Sequence, residues 1–102
     1  STKRRSILPR AVKLTSIEVE QALQTLSGWL LREGKLFREL KFKDFSDAWG
    51  FMSRAALLAE KMNHHPEWSN VWNTVRINLS THDVDGLSNL DVEFARRVNG
   101  LL

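Results

Sequence analysis

The sequence of 102 residues contains no cysteine, only two prolines and no long apolar run. Without cysteine there can be no disulfide framework, no thiolate nucleophile and no zinc site with cysteine ligands. No segment approaches the ~18 apolar residues of a membrane-spanning helix, so we expect no membrane association. The chain also lacks a glycine-rich phosphate loop and a nucleophile elbow, which removes support for the enzyme classes that depend on them.

Basic residues are concentrated at the start of the chain. The first thirteen residues contain five basic side chains and no acidic one, whereas the remainder carries ten basic and twelve acidic side chains. A nucleic-acid-binding protein usually has a basic face on its folded body, so we expect no direct contact with nucleic acid. Residues 1–14 are predicted to be a flexible basic tail, and residues 15–102 a single domain of ordinary globular composition.

Capping residues predict the starts of three helices. Thr15 with Glu18, and Ser88 with Asp91, have the spacing of capping boxes, and Asp44 can cap a long helix between them. The first helix is predicted to end at a glycine, Gly28.

Alternating apolar and polar residues between the helices predict four strands. Residues 29–33 and 36–43 have the pattern of a hairpin, and residues 68–80 that of a strand pair that turns near Asn73. The element order is therefore α-β-β-α-β-β-α, without long crossover connections. This order predicts an α+β fold, with a four-stranded antiparallel sheet and three helices on one of its faces.

The long helix is apolar on more than one face. A core stripe is predicted at six positions with helical spacing: Ala48, Phe51, Met52, Ala55, Ala59 and Met62. Trp49, Ala56 and Leu57 lie outside that stripe, and a monomer would leave them in water. Because exposed apolar surface usually marks a contact, we expect a homo-oligomer formed through this helix, with a sheet edge as a further candidate.

The three histidines are the main candidates for chemistry. His64 and His65 follow the long helix and precede Pro66, which favours an extended conformation for the residue before it. His82 follows the last predicted strand, so the three imidazoles can converge at the ends of separate elements. Imidazole exchanges protons near neutral pH, which indicates an acid–base site. The alternative, in which each histidine has a polar structural role, stays open.

A zinc site with three histidine ligands is the competing interpretation. His64 and His65 are neighbours, and adjacent side chains of an extended segment point to opposite faces. The sequence also has no pair of histidines at helical His-x-x-x-His spacing. We therefore expect no metal.

One set of residues resembles a known family. Glu60-Lys61-Met62-Asn63-His64-His65-Pro66-Glu67-Trp68, then Trp72, then Ser80-Thr81-His82 and then Asp91 is similar to the pattern of the pterin-4a-carbinolamine dehydratases. Residues 42–45 and 49–54 resemble that family's second strand and long helix, and the resemblance extends from about Thr15 to the C-terminus.

The resemblance implies a fold that agrees with the predicted element order. It also implies dehydration of 4a-hydroxytetrahydropterin (for example 4a-hydroxytetrahydrobiopterin) to quinonoid dihydropterin, without metal or cofactor, which recycles the pterin of aromatic amino-acid hydroxylases. The implied catalytic residues are the three histidines. The positions implied to line the pterin site are Glu60, Asn63, Ser80, Thr81 and Asp83.

Roles within this set follow from the predicted elements. His64 and His82 come from different elements, so we assign them to proton transfer, and His65 to holding the pterin ring. Glu60 lies one helical turn before His64, so we expect it to orient that ring and favour its protonated form. Asn63 departs from the aspartate of some family members, and the segment from Val84 to Asp85 also varies, which predicts a change in affinity.

The resemblance also implies an assembly and partners. It implies a homodimer or a homotetramer, with a hydroxylase or a transcription factor as a further partner. Some animal members act as the dimerization cofactor of a homeodomain transcription factor, so the alternative function is a protein-interaction module acting as a coactivator. A cytoplasmic location fits the absence of cysteine, with nuclear and organellar locations left open.

Overall fold

The computed structural model describes residues 10–102 and contains the predicted series of helices and strands. In chain order these are α1 (Ser16–Leu23), β1 (Leu30–Arg32), β2 (Lys35–Lys41), α2 (Phe45–Met62), β3 (Glu67–Val71), β4 (Thr74–Leu79) and α3 (Asn89–Gly100), with one 3₁₀ turn at His82–Val84 before α3. The predicted α+β class and the order α-β-β-α-β-β-α are confirmed.

The four strands form one antiparallel sheet in the order β1-β2-β4-β3. Leu36 lies opposite Leu79 and Leu40 opposite Val75, so apolar side chains from neighbouring strands share one face. That face packs against the helices, and Phe51 of α2 lies fully buried in the same core. Arg38 lies on this face as well and bonds Asn99 of α3, and β4 ends at buried Leu79, directly before Ser80.

Side-chain caps fix the helix starts where the sequence predicts them. Thr15 and Glu18 form a reciprocal capping box at α1, and Asp44 caps α2 by accepting from the Asp47 N–H at 2.8 Å. The predicted end of α1 is wrong, because the helix ends at Leu23 rather than Gly28. The amide and the hydroxyl of Thr25 both donate to the carbonyl of Ala22 in the last turn of α1, so the chain makes a tighter turn where the helix ends.

The segment from Arg10 to Leu14 contacts the start of α3. The Leu14 amide donates to the Leu87 carbonyl at 2.9 Å, and Asn89 bonds both the Val12 amide and the Arg10 carbonyl. These bonds hold the chain between Arg10 and Leu14 against the start of α3, and the domain boundary at residue 14 stays a prediction. Residues 1–9 of the predicted tail lie outside the described residues.

The outer face of α2 carries large exposed apolar side chains. Trp49 is 56% exposed and Leu57 is 73% exposed, as their position off the core stripe predicts. Phe45 packs on Trp49 with ring centroids 6.0 Å apart and is itself half exposed. Oligomerization through this face stays a prediction. Within residues 10–102, no helix combines the length and the apolar character that crossing a membrane requires.

Candidate active site

The end of α2 directs the two neighbouring histidines to different environments. Asn63 caps the helix in the left-handed conformation at φ 52°, a conformation that asparagine tolerates better than most residues. The reversal is held by the His64 amide, which donates to the Ala59 carbonyl at 3.0 Å. As a result His64 lies buried beneath α3, whereas His65 lies exposed at the surface.

His64 is bound to a buried carboxylate. Its Nε2 lies 2.6 Å from Oδ1 of Asp91, which has no exposed surface. The other oxygen of Asp91 accepts from the Thr81 hydroxyl at 2.7 Å and from the Ser88 amide at 2.9 Å. The edge of the His64 ring also faces Phe94, with centroids 6.4 Å apart. The imidazole is therefore held by a hydrogen bond and by packing.

The hydrogen-bond network engages one nitrogen of His64 and both oxygens of Asp91. The Thr81 hydroxyl and the Ser88 amide donate to one oxygen of Asp91, so an ionised Asp91 accepts from Nε2 of His64 through its other oxygen. The second nitrogen of His64, Nδ1, has no hydrogen-bond partner among residues 10–102, and His64 contributes to the wall of a cleft. Nδ1 is thus the atom of this pair that can exchange a proton with a ligand.

The predicted pairing of Glu60 with His64 is wrong. Glu60 Oε1 lies 2.7 Å from Nε2 of His65 instead, and both side chains are largely exposed. The helical spacing on which the prediction depended does not hold, because α2 ends at Met62 and the backbone reverses at Asn63. Glu60 therefore orients the outer histidine, and a different carboxylate orients the inner one.

His82 lines the same cleft. It begins the 3₁₀ turn that follows β4, and the loop containing this turn is closed by the Thr81 amide, which donates to the Gly86 carbonyl at 2.7 Å. The cleft has a volume of about 290 Å³. Its lining contains all three histidines and most of the predicted pterin-site residues: Ala11, Asn63, His64, His65, Ser80, Thr81, His82, Asp83 and Leu90.

Several residues of this site have roles that the sequence does not reveal. Asp91 was predicted as a helix cap and as part of a family pattern, but its contact with His64 joins residues from two separate helices. Ala11 and Leu90 add apolar surface to the cleft. Of the predicted site residues, only Glu60 is absent from the lining, and it reaches the site through His65.

No metal-binding cluster is formed by the part of the chain that the structure describes. Among residues 10–102, no three histidine, aspartate or glutamate side chains come together as ligands for an ion. Hydrogen bonds to carboxylates engage one nitrogen of His64 and one of His65.

The sequence matches the profile of a known family over nearly its whole length. Residues 12–101 match the family described as pterin 4 alpha carbinolamine dehydratase. The chain belongs to the pterin-4a-carbinolamine dehydratase family. The match begins at residue 12, which agrees with the contacts that residues 10–14 make with α3 in the structure.

Individual proteins of the dehydratase family are similar in sequence to most of this chain. The chain is 51% identical over 89 residues to a protein of Prochlorococcus marinus (strain MIT 9303) that bears the family's name, covering 87% of this chain and 93% of that protein. It is 51% identical over 96 residues to a protein of the same name from Synechococcus sp. (strain WH7803), covering 94% and 97%.

A solved structure shows the same fold. The crystal structure of a transcriptional coactivator/pterin dehydratase from Brucella melitensis has a TM-score of 0.85 with this chain at 47% sequence identity. The alignment covers 88% of this chain and 98% of that one. The dehydratase family is therefore shown by sequence and by fold together.

Proposed function

We propose that this protein dehydrates a 4a-hydroxytetrahydropterin to the quinonoid dihydropterin by histidine acid–base catalysis without a metal. The observation that carries the proposal is the pairing of His64 with buried Asp91, in a cleft that His82 also lines. Family membership supplies the substrate class, and the two imidazoles supply groups that exchange protons near neutral pH.

The reaction needs one acid and one base. The bond between C4a and the hydroxyl oxygen breaks, the N5–H bond loses its proton, and a C4a=N5 double bond forms as water leaves. Hydroxide is a poor leaving group, so the acid must deliver a proton to it as the bond breaks. The base must take the N5 proton and pass it to solvent.

We assign the acid role to His64. Asp91 holds Nε2 of His64, which leaves Nδ1 as the nitrogen from which the protonated ring would donate into the cleft. After donation the ring is neutral and keeps its Nε2 proton on Asp91, so the hydrogen bond persists throughout the step. Asp91 is thus a positioning residue, because it acts through His64 and is itself fully buried.

His82 has the properties that the base requires. It lines the same cleft as His64 and is exposed, so a proton taken from N5 can pass to water. His65 is bound to Glu60 and lines the same cleft, which suits it to holding the pterin ring. The cleft volume of about 290 Å³ is just below the roughly 300–1,000 Å³ range of sites for drug-sized ligands, which fits a small bicyclic ring.

A turnover assay tests the proposal. The 4a-hydroxytetrahydropterin is generated in situ, and its conversion is followed by absorbance with and without the purified protein. Acceleration that requires both His64 and His82 is the expected result. No acceleration by the folded, unmutated protein would contradict the proposal.

A second candidate function is binding to a transcription factor. The Brucella melitensis protein is described as a transcriptional coactivator/pterin dehydratase, and α2 of this chain exposes Phe45, Trp49 and Leu57. The two functions use separate surfaces, since none of these residues lines the cleft. If the turnover assay shows no acceleration, a binding role alone remains.

A further inference from the structure

The cleft that contains the three histidines takes one wall residue from the start of the chain. Ala11 lines this cleft, whereas every other lining residue lies between Asn63 and Leu90. Ala11 belongs to residues 10–14, which contact the start of α3. The contacts that hold these residues therefore determine whether the cleft keeps one of its walls.

Packing holds this segment at one end only. Leu14 is partly buried against the hydrophobic core, and its amide donates to the Leu87 carbonyl at 2.9 Å. Val12, by contrast, is 58% exposed, and Arg10 is exposed as well. A segment with few buried apolar contacts opens locally at a small cost in free energy. Near Ala11 the position of the chain therefore depends on hydrogen bonds.

The side chain of Asn89 supplies two of these hydrogen bonds. Its Oδ1 accepts from the Val12 amide at 2.7 Å, and its Nδ2 donates to the Arg10 carbonyl at 3.1 Å. These two partners belong to the two peptide groups that flank Ala11. The backbone amide of Asn89 also donates to the Val12 carbonyl, at a longer distance of 3.3 Å. A primary amide suits this arrangement, because it offers an acceptor and a donor to successive peptide groups.

Asn89 holds this wall from a position outside the cleft. It is the first residue of α3 and follows Ser88, whose amide donates to Asp91. Asn89 does not line the cleft, and its side chain bonds residues 10 and 12 rather than a histidine. Loss of the Asn89 side chain should therefore leave the contact between His64 and Asp91 in place.

We propose that Asn89 is a positioning residue that holds Ala11 in the wall of the cleft and thereby sets the affinity for the pterin. The inference rests on the proposed dehydratase function and deepens it, because it names a residue outside the cleft that controls binding within it. With the wall in place, the cleft encloses more of the ligand and offers it more apolar surface. Only this form binds the pterin tightly, so the apparent affinity is proportional to the fraction of molecules that adopt it.

Asn89→Ala tests the inference by separating KM from kcat. The substitution removes both side-chain bonds, so we expect KM to rise about tenfold, the effect of one or two net hydrogen bonds, while kcat stays within about twofold of the parent. A role in folding alone would not produce this selective change in KM. N89D keeps the acceptor for the Val12 amide, loses the donor for Arg10 and places an acidic residue at a helix start, where it is favoured. Its KM should lie between those of the parent and N89A.

Equilibrium binding gives a readout that does not depend on turnover. The Kd of 7,8-dihydrobiopterin, a stable pterin, is measured by isothermal titration calorimetry and should rise in N89A by a factor similar to that of KM. Hydrogen exchange of the Val12 amide, followed by NMR, should be faster in N89A than in the parent. Asn70→Ala is the matched control, because the Asn70 amide also bonds two backbone groups, the carbonyls of Trp72 and Thr74, and does not line the cleft.

The outcomes separate the inference from the proposed function. If the unmutated protein does not turn over 4a-hydroxytetrahydropterin, the proposed function fails and the inference fails with it. If the unmutated protein is active but N89A keeps the KM and Kd of the parent, or if N70A raises both as much as N89A does, Asn89 does not control binding and the proposed function stands. If N89A does not fold, the same comparison is made with N89D.

Discussion

Replacing Asp91 with asparagine tests how the buried carboxylate positions His64. The substitution keeps the size of the side chain but removes its charge. The amide oxygen can still accept from the Thr81 hydroxyl and the Ser88 amide, which together occupy one oxygen of Asp91. The amide nitrogen then faces Nε2 of His64. Because that nitrogen is a donor, Nε2 must accept, and His64 can no longer carry two protons.

The expected loss in rate follows from this change of protonation state. An acid–base group contributes about 10²–10⁴-fold to the rate, which is roughly 3–5 kcal/mol of the activation barrier. We expect D91N to lower kcat within that range with little change in KM. The folded state should also lose about 1.5–3 kcal/mol, the value of a buried hydrogen bond to a charged group.

Steady-state kinetics and nitrogen NMR measure the two effects separately. The NMR spectrum should show the proton of neutral His64 on Nε2 in the unmutated protein and on Nδ1 in D91N. Asp44→Asn is the matched control, since it removes one carboxylate at the cap of α2 and keeps a capping side chain. A folded D91N protein whose kcat stays within about fivefold of the parent, well short of the acid–base range, would refute the reasoning.

Three further predictions use other parts of the structure. H64A and H82A should each lower kcat by about 10²–10⁴-fold. H65A and E60Q should act mainly on KM, because Glu60 contacts His65. A larger loss of kcat in H65A than in H64A would contradict the roles assigned to the two histidines. W49R should lower the assembly state measured by light scattering, since Trp49 is exposed on α2; an unmutated protein that is monomeric at micromolar concentration would count against this. Treatment with a chelator should leave turnover unchanged. The prediction that no metal takes part would be overturned by stoichiometric zinc in the purified protein, or by activity that is lost with chelator and restored by metal.

Features set by local interactions could be predicted from the sequence. Both capping boxes, at Thr15 and at Ser88, depend on residues three positions apart and appear as predicted. The order of the helices and strands follows from hydrophobic period in the same way. These predictions succeed because the interacting residues are close together in the sequence, so a short stretch of the chain contains the whole pattern.

Features set by backbone reversals or by distant contacts could not be predicted in this way. The expected pairing of Glu60 with His64 assumed that helical spacing continued, but the left-handed conformation of Asn63 moves His65 onto Glu60 instead. The contact of His64 with Asp91 joins residues 27 positions apart. The hydrogen bond between Asn89 and the Arg10 carbonyl joins residues 79 positions apart, and no local sequence pattern predicts it.

The central claim is that His64 and His82 dehydrate a 4a-hydroxytetrahydropterin between them. The most direct measurement is the pH dependence of turnover for the unmutated protein, H64A and H82A. An acid and a base acting together predict a bell-shaped profile for the unmutated protein, with one limb lost in each variant. A rate that does not exceed the reaction without protein, or a profile that keeps both limbs in both variants, would contradict the account.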